Sequence, residues 1–172
     1  MTQPRRIAAQ SSADRVAKER NWPLTTVVGY QIGLDERKNC SADTRILYCT
    51  TAILLEKLIK TKSLSNFTHI ILDEVHERSK DMDFLFIVIR KLLSNSPVKP
   101  KIKIILMSAT IQAKQFSDYF KIPKGGELVS APIVNVNKPS PFSVSEFYFE
   151  EIAGILPHYK VSNTSPPQHK PD

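Results

Sequence analysis

Residues 68–72 form a run ending Ile70-Ile71-Leu72 that stops abruptly at two adjacent carboxylates, Asp73 and Glu74. Val75, His76, Glu77 and Arg78 follow. Short apolar runs of this kind read as strands buried on both faces. Both acids then emerge at the C-terminal end of the strand, the rim at which open parallel sheets place their ligands. A carboxylate pair there can divide the work of phosphoryl transfer, one acid holding a metal and its neighbour activating water. A bare Asp-Glu-x-His tetrapeptide is more often a strand ending in a solvated acidic turn, so its meaning depends on the rest of the chain.

The surroundings alternate strands with helices. Thr2-Gln3-Pro4 reads as a turn, and residues 5–20 as a helix with Ala9, Ala13, Val16 and Arg20 on one face, ended by Asn21-Trp22-Pro23. Residues 25–30 read as a strand closing near Gly33, 35–43 as a loop, and 45–49 as a short strand. Thr50 or Thr51 is placed to cap a helix that carries Leu54, Leu55, Leu58 and Ile59 on one face. After the strand at 68–72 come a helix over about 82–93, a loop at 94–100, and a buried strand over 101–107 that ends in Ser108-Ala109-Thr110. A short helix over 112–120 is stopped by Pro123 and Gly125-Gly126. This order predicts an α/β fold, a parallel sheet covered by helices on both faces. Beyond Leu128, β-like pieces at 133–136 and 147–149 suggest an edge hairpin or a path out of the domain, and residues from 161 onward read as a disordered linker. The expected division is a domain over 1–150 and an exit segment with linker over 151–172.

At 172 residues the chain is one domain or most of one. No apolar run approaches the roughly 18 residues of a membrane span, so no membrane partner is expected. The N-terminus lacks the apolar core of a signal peptide, which points to cytosol or nucleus. Cys40 and Cys49 have no CxxC partner or nearby histidine pair, so zinc and a disulfide framework are not expected. A net charge of +7 favours an anionic partner such as nucleic acid. Arg5, Arg6, Arg15, Lys18 and Arg20 crowd the start, and three lysines lie between positions 97 and 103.

The candidate site residues follow from that frame. Asp73 is the candidate metal holder, since Mg²⁺ needs few protein carboxylates and keeps several waters. Glu74, turned the other way by strand alternation, would orient and deprotonate water. His76 could report the state of the γ-phosphate, or serve as a structural histidine. Ser108 and Thr110 end a parallel strand on the same rim, so their hydroxyls could reach His76 or Asp73. Thr2, Gln3, Pro4, Arg5 and Arg6 offer a helix N-terminus with two guanidinium groups, a phosphate-backbone gripper. Thr50 and Thr51 offer a second set of donors, or simply a helix cap.

Taken together and in order, TQPRRIAA, VGYQIG, CTTAILLEKL, HIILDEVHER and LMSAT resemble the DEAH/DExH branch of superfamily 2 RNA helicases, over roughly residues 1–150. The resemblance implies a RecA-like first lobe, with ATP and Mg²⁺ as cofactors and RNA as the partner. It implies that Arg5 and Arg6 in motif Ia, and Thr50 and Thr51 in motif Ib, contact the RNA backbone. Asp73 and Glu74 would serve Mg²⁺-ATP, and Ser108-Ala109-Thr110 would couple hydrolysis to strand movement. Val75 replaces the usual alanine, Gly33 an arginine common in relatives, and Ala52 a common glycine. Val75, VGYQIG, DMDFL and SPFSVSEFY resemble the spindle-E type of tudor-domain helicase, which implies germline piRNA-mediated transposon silencing, piRNA-pathway protein partners, and a cytoplasmic location that extends to perinuclear germ granules.

No GxxxxGK[ST] occurs in the chain. In the family that P-loop lies upstream of motif Ia and its strand pairs with the strand ending in SAT. The expectation is therefore a sheet incomplete at its N-terminus, with an open apolar edge at 101–107 prone to aggregation. The P-loop segment and the second lobe become required partners, and the isolated chain is expected not to hydrolyse ATP. A second reading is a non-catalytic RNA- or protein-binding scaffold. The missing P-loop favours it, and the intact Asp73-Glu74 pair and SAT argue against it. A DNA-directed relative is a third, disfavoured by DEVHER and TQPRR.

Overall fold

The computed structural model describes residues 1–33, 39–95, 102–109, 113–136, 142–148 and 151. The chain divides into two compact units, Met1–Val134 and Asn135–Asp172. The expected linker from 161, Thr110, residues 35–38 of the loop at 35–43 and residues 96–100 of the loop at 94–100 lie outside the described residues.

In the first unit, β1 (Thr2–Gln3), β2 (Val28–Gln31), β3 (Ile46–Thr50), β4 (His69–Leu72) and β5 (Lys103–Leu106) form one five-stranded sheet. Its order is β2-β3-β1-β4-β5 and every pairing is parallel. Helices α1 (Arg6–Arg20), α2 (Thr51–Thr61), α3 (Lys80–Asn95) and α4 (Ala113–Tyr119) follow β1, β3, β4 and β5. This is the α/β parallel sheet that the alternation of patterns predicts.

Strand alternation sorts the core into two faces. Cys49 joins Leu54, Leu58, Ile70, Leu72, Leu85 and Ile89 in a cluster roofed by α2 and α3. Its neighbour Tyr48 points the opposite way and packs with Val28, Ala9 and Ala13 under α1. Ala9 and Ala13 are fully buried and Ala17 nearly so, and these small side chains let α1 lie close to the sheet. The buried face of α1 thus runs through Ala17, while Arg20 is exposed. In α2, Ile53, Leu54 and Leu58 are buried and Ile59 is 55% exposed, so the apolar face is rotated from the expected one. Asn21 ends α1 in the left-handed conformation (φ 54°), which asparagine tolerates, and the backbone N–H of Trp22 donates to Ala17 O at 2.9 Å.

Three expectations are corrected. Thr2-Gln3 is a strand in the middle of the sheet, its pairing on both sides overriding the turn signal of the following proline. Thr25 is not in a strand: its φ is 74°, and its N–H closes a turn onto Val28 O at 2.8 Å. The hairpin lies earlier than the pieces at 133–136, as β6 (Ile122–Lys124) and β7 (Glu127–Val129). Gly125 (φ 61°) and Gly126 (φ 91°) make its two-residue turn, which demands positive φ at both positions. Gly29 has a different reason. A Cβ there would sit 2.5 Å from Asn39 O, where the segment after the loop crosses the outer edge of β2 and accepts the Tyr30 N–H at 3.0 Å.

Candidate active site

The five strands of the sheet run the same way, so their C-terminal ends share one rim. Register determines which residues meet there. Thr2 pairs with both Cys49 and Leu72, and Gln3 with Thr50. Thr50, Gln3 and Asp73 therefore occupy one row across three adjacent strands. Leu72 pairs with Leu106, which brings Met107 and Ser108 to the same level.

Asp73 is held by two donors. The Gln3 side-chain amide donates to Oδ2 at 2.9 Å, and the Glu74 backbone N–H donates to Oδ1 at 2.9 Å. An ionised carboxylate accepts only, so the amide must present its NH₂. The Asp73 backbone N–H donates to Thr2 O at 3.4 Å, extending β4 by one residue along β1. Burial chiefly, and the Asp73 carboxylate next, push the Tyr48 phenol above its ordinary value.

Glu74 leaves the strand altogether. Its backbone is left-handed (φ 54°, ψ 38°) and starts a 3₁₀ turn over Val75–Glu77, so a turn, not the pleat of the strand, sets its position. A non-glycine residue in this region carries strain of about 1–2 kcal/mol. The turn is anchored on all sides. Val75 is fully buried, its N–H donates to Met107 O at 3.1 Å, and the Glu77 N–H donates to Glu74 O at 3.0 Å. Arg78, also left-handed (φ 49°), reaches Asp83 through two nitrogens at 2.8 and 3.2 Å. Ser79 accepts the Met82 N–H at 3.3 Å and so caps α3.

His76 Nδ1 stands 3.4 Å from Glu74 Oε2 and 3.5 Å from the Ala109 backbone nitrogen. One ring nitrogen serves one of these at a time: unprotonated it accepts from Ala109 N–H, protonated it donates to Glu74. The acidic turn thus meets the end of β5 at the Ala109 main chain and at Met107, whose N–H also donates to Leu72 O at 2.8 Å.

The structure separates the other expected residues into two groups. Arg5 and Arg6 are exposed at the start of α1, and Arg5 lies 3.7 Å from Glu77, an exposed ion pair of little energetic weight. Pro4 is half-buried, and Thr50 is the N-cap of α2 without a side-chain cap bond. Thr2 and Gln3, in contrast, are buried, at 0% and 7% exposure, as is Thr51. The Oγ1 atoms of Thr2 and Thr51 have no hydrogen-bond partner among the described residues. Sequence reasoning missed the Gln3–Asp73 contact, because it depends on β1 being a strand. It missed Glu77 too, although its place beside His76 was a usable signal.

Among the described residues no three His, Cys, Asp or Glu side chains converge as a metal cage. Each oxygen of Asp73 has a lone pair beyond the bond it accepts. A cavity of about 240 Å³, lined by Asp14, Lys18, Trp22 and Leu24 among others, lies at the far end of α1 from this rim. Neither cysteine is in a disulfide, and no described helix is long and apolar enough to cross a membrane.

Comparison with known proteins agrees with this geometry. The family model described as DEAD/DEAH box helicase matches residues 3–119. The chain is 52% identical over 166 residues to "Probable ATP-dependent RNA helicase spindle-E" of Culex quinquefasciatus, covering 96% of the chain and 12% of that protein. It is 49% identical over 163 residues to "ATP-dependent RNA helicase TDRD9" of Homo sapiens, covering 94% of the chain and 11% of that protein. The chain therefore spans about a tenth of the length of the curated relatives it matches. With its five-stranded parallel sheet in the RecA-like arrangement and its acidic turn at the rim, the chain belongs to the DEAD/DEAH box helicase family.

Proposed function

We propose that this chain carries the water-activating half of the ATP site, and part of the RNA track, of an ATP-dependent RNA helicase. The observation that carries the reading is the left-handed turn at Glu74, which sets one carboxylate apart from another held by two hydrogen bonds. In this reading Asp73 holds Mg²⁺ and Glu74 accepts the proton of the attacking water. Bound Mg²⁺-ATP supplies the phosphoryl group and the charge neutralisation. His76 senses the site and relays it through Ala109 and the SAT segment. Arg5, Arg6 and Thr50 face the RNA backbone, while buried Thr2 and Thr51 shape the strand end and the helix start behind them. The P-loop segment and the second lobe of the helicase are the partners that complete the nucleotide site.

A narrower role in the germline, in piRNA-directed silencing with proteins of that pathway, in cytoplasm that includes perinuclear germ granules, rests on the resemblance of Val75, VGYQIG, DMDFL and SPFSVSEFY to the spindle-E type of helicase. The chemical core is tested by Glu74→Gln in the full-length protein. ATP binding is retained while turnover falls by about 10²–10⁴-fold. Turnover near the wild-type rate would remove Glu74 from the role of base.

A further inference from the structure

The structure assigns Gln3 to the nucleotide side of the rim, as the residue that positions Asp73, and not to the RNA track. This rests on the reading of Asp73 as the metal-holding acid.

Three observations converge on it. Gln3 is 7% exposed, whereas Arg5, two residues on, has 79% of its side chain exposed. A polymer backbone approaching the rim meets the guanidinium and not the amide. Next, the register leaves little freedom. Thr2 pairs with Leu72 on one side and Cys49 on the other, so Gln3 lies level with Asp73 on the adjacent strand, and its Nε2 donates to Oδ2 at 2.9 Å. Finally, the second oxygen of Asp73 accepts the N–H of Glu74, the residue in the left-handed turn. Gln3, Asp73 and the Glu74 main chain thus form one hydrogen-bonded line.

Held at both oxygens, the Asp73 carboxylate cannot swing about its terminal bond without breaking a contact. One lone pair on each oxygen is left toward an ion or its waters. Removing a partner that orients a metal-bearing carboxylate in this way typically costs about 10–100-fold in metal affinity or activity. Glutamine suits the position because it donates without charge. Glutamate would place two carboxylates at hydrogen-bond distance, and asparagine is one methylene too short.

The test uses the full-length protein, with Mg²⁺ titrated against binding of a fluorescent, non-hydrolysable ATP analogue, and with single-stranded oligouridine binding measured separately. Gln3→Met keeps the volume and removes the donor. It should raise the Mg²⁺ concentration for half-maximal nucleotide binding by about tenfold and leave oligouridine affinity within error. Gln3→Asn should shift the Mg²⁺ requirement in the same direction, and it decides the matter if the methionine variant does not fold. In an Asp73→Asn background neither change should shift the Mg²⁺ requirement further. Weakened oligouridine binding at an unchanged Mg²⁺ requirement would make Gln3 an RNA contact and overturn the assignment, as would no effect on either. If wild-type nucleotide binding ignores both Mg²⁺ and Asp73→Asn, the metal role of Asp73 fails first and the assignment falls with it.

Discussion

Cys49 is 3% exposed on β3 and faces the core under α2 and α3, where burial pushes its thiol above the ordinary value of 9.0. The folded chain therefore holds this proton more tightly than the unfolded chain. The stabilisation is fully present below pH 9.0 and is lost as pH rises from there through the folded value. Urea unfolding followed between pH 8 and 10.5 is expected to show falling stability for the wild type and a shallower fall for Cys49→Ala. Single residues were also where the sequence spoke most plainly about chemistry. Asp73 and Glu74 announce themselves as paired acids after an apolar run. What no local pattern shows is the left-handed backbone of Glu74 or the amide of Gln3 on Asp73. The first is imposed by the anchoring of Val75 and Arg78, and the second by a strand register that exists only once the sheet has assembled.

At the scale of elements, period determined kind but not rotation. Helices followed from apolar spacing, and strands from short apolar runs, yet the buried face of α2 differs from the expected one. Leu58 is fully buried and the adjacent Ile59 is 55% exposed. Leu58→Ala is expected to cost about 2–5 kcal/mol through lost transfer energy and a residual cavity. Ile59→Lys is expected to stay within about 0.5 kcal/mol, as exposed substitutions do. Thermal unfolding of both variants checks the rotation, and a large loss for Ile59→Lys would return the face to where periodicity alone put it. The two-residue strand β1 was illegible for a different reason. It is too short to carry a period, and its central place comes from neighbours that lie 46 and 70 residues away, reached by Met1 N donating to Leu47 O and by Gln3 donating to Asp73.

Across the whole molecule, the net charge of +7 is a weak guide until it is located. The exposed guanidinium of Arg5 stands at the rim beside the acidic turn, and an RNA phosphate would compete for it with Glu77. Arg5→Ala in the full-length protein is expected to weaken RNA binding with little dependence on sequence, and to make the slope of log affinity against log salt shallower by about one. An unchanged salt slope would take Arg5 off the track. Stability is a property of the whole chain too, and here it runs against one residue. Glycine at position 74 would adopt the backbone found there at no steric penalty, and asparagine at a reduced one. A breeding scheme or design algorithm that rewarded only resistance to unfolding would therefore favour replacing Glu74, and the hardier molecules it produced would have discarded the carboxylate proposed above as the base.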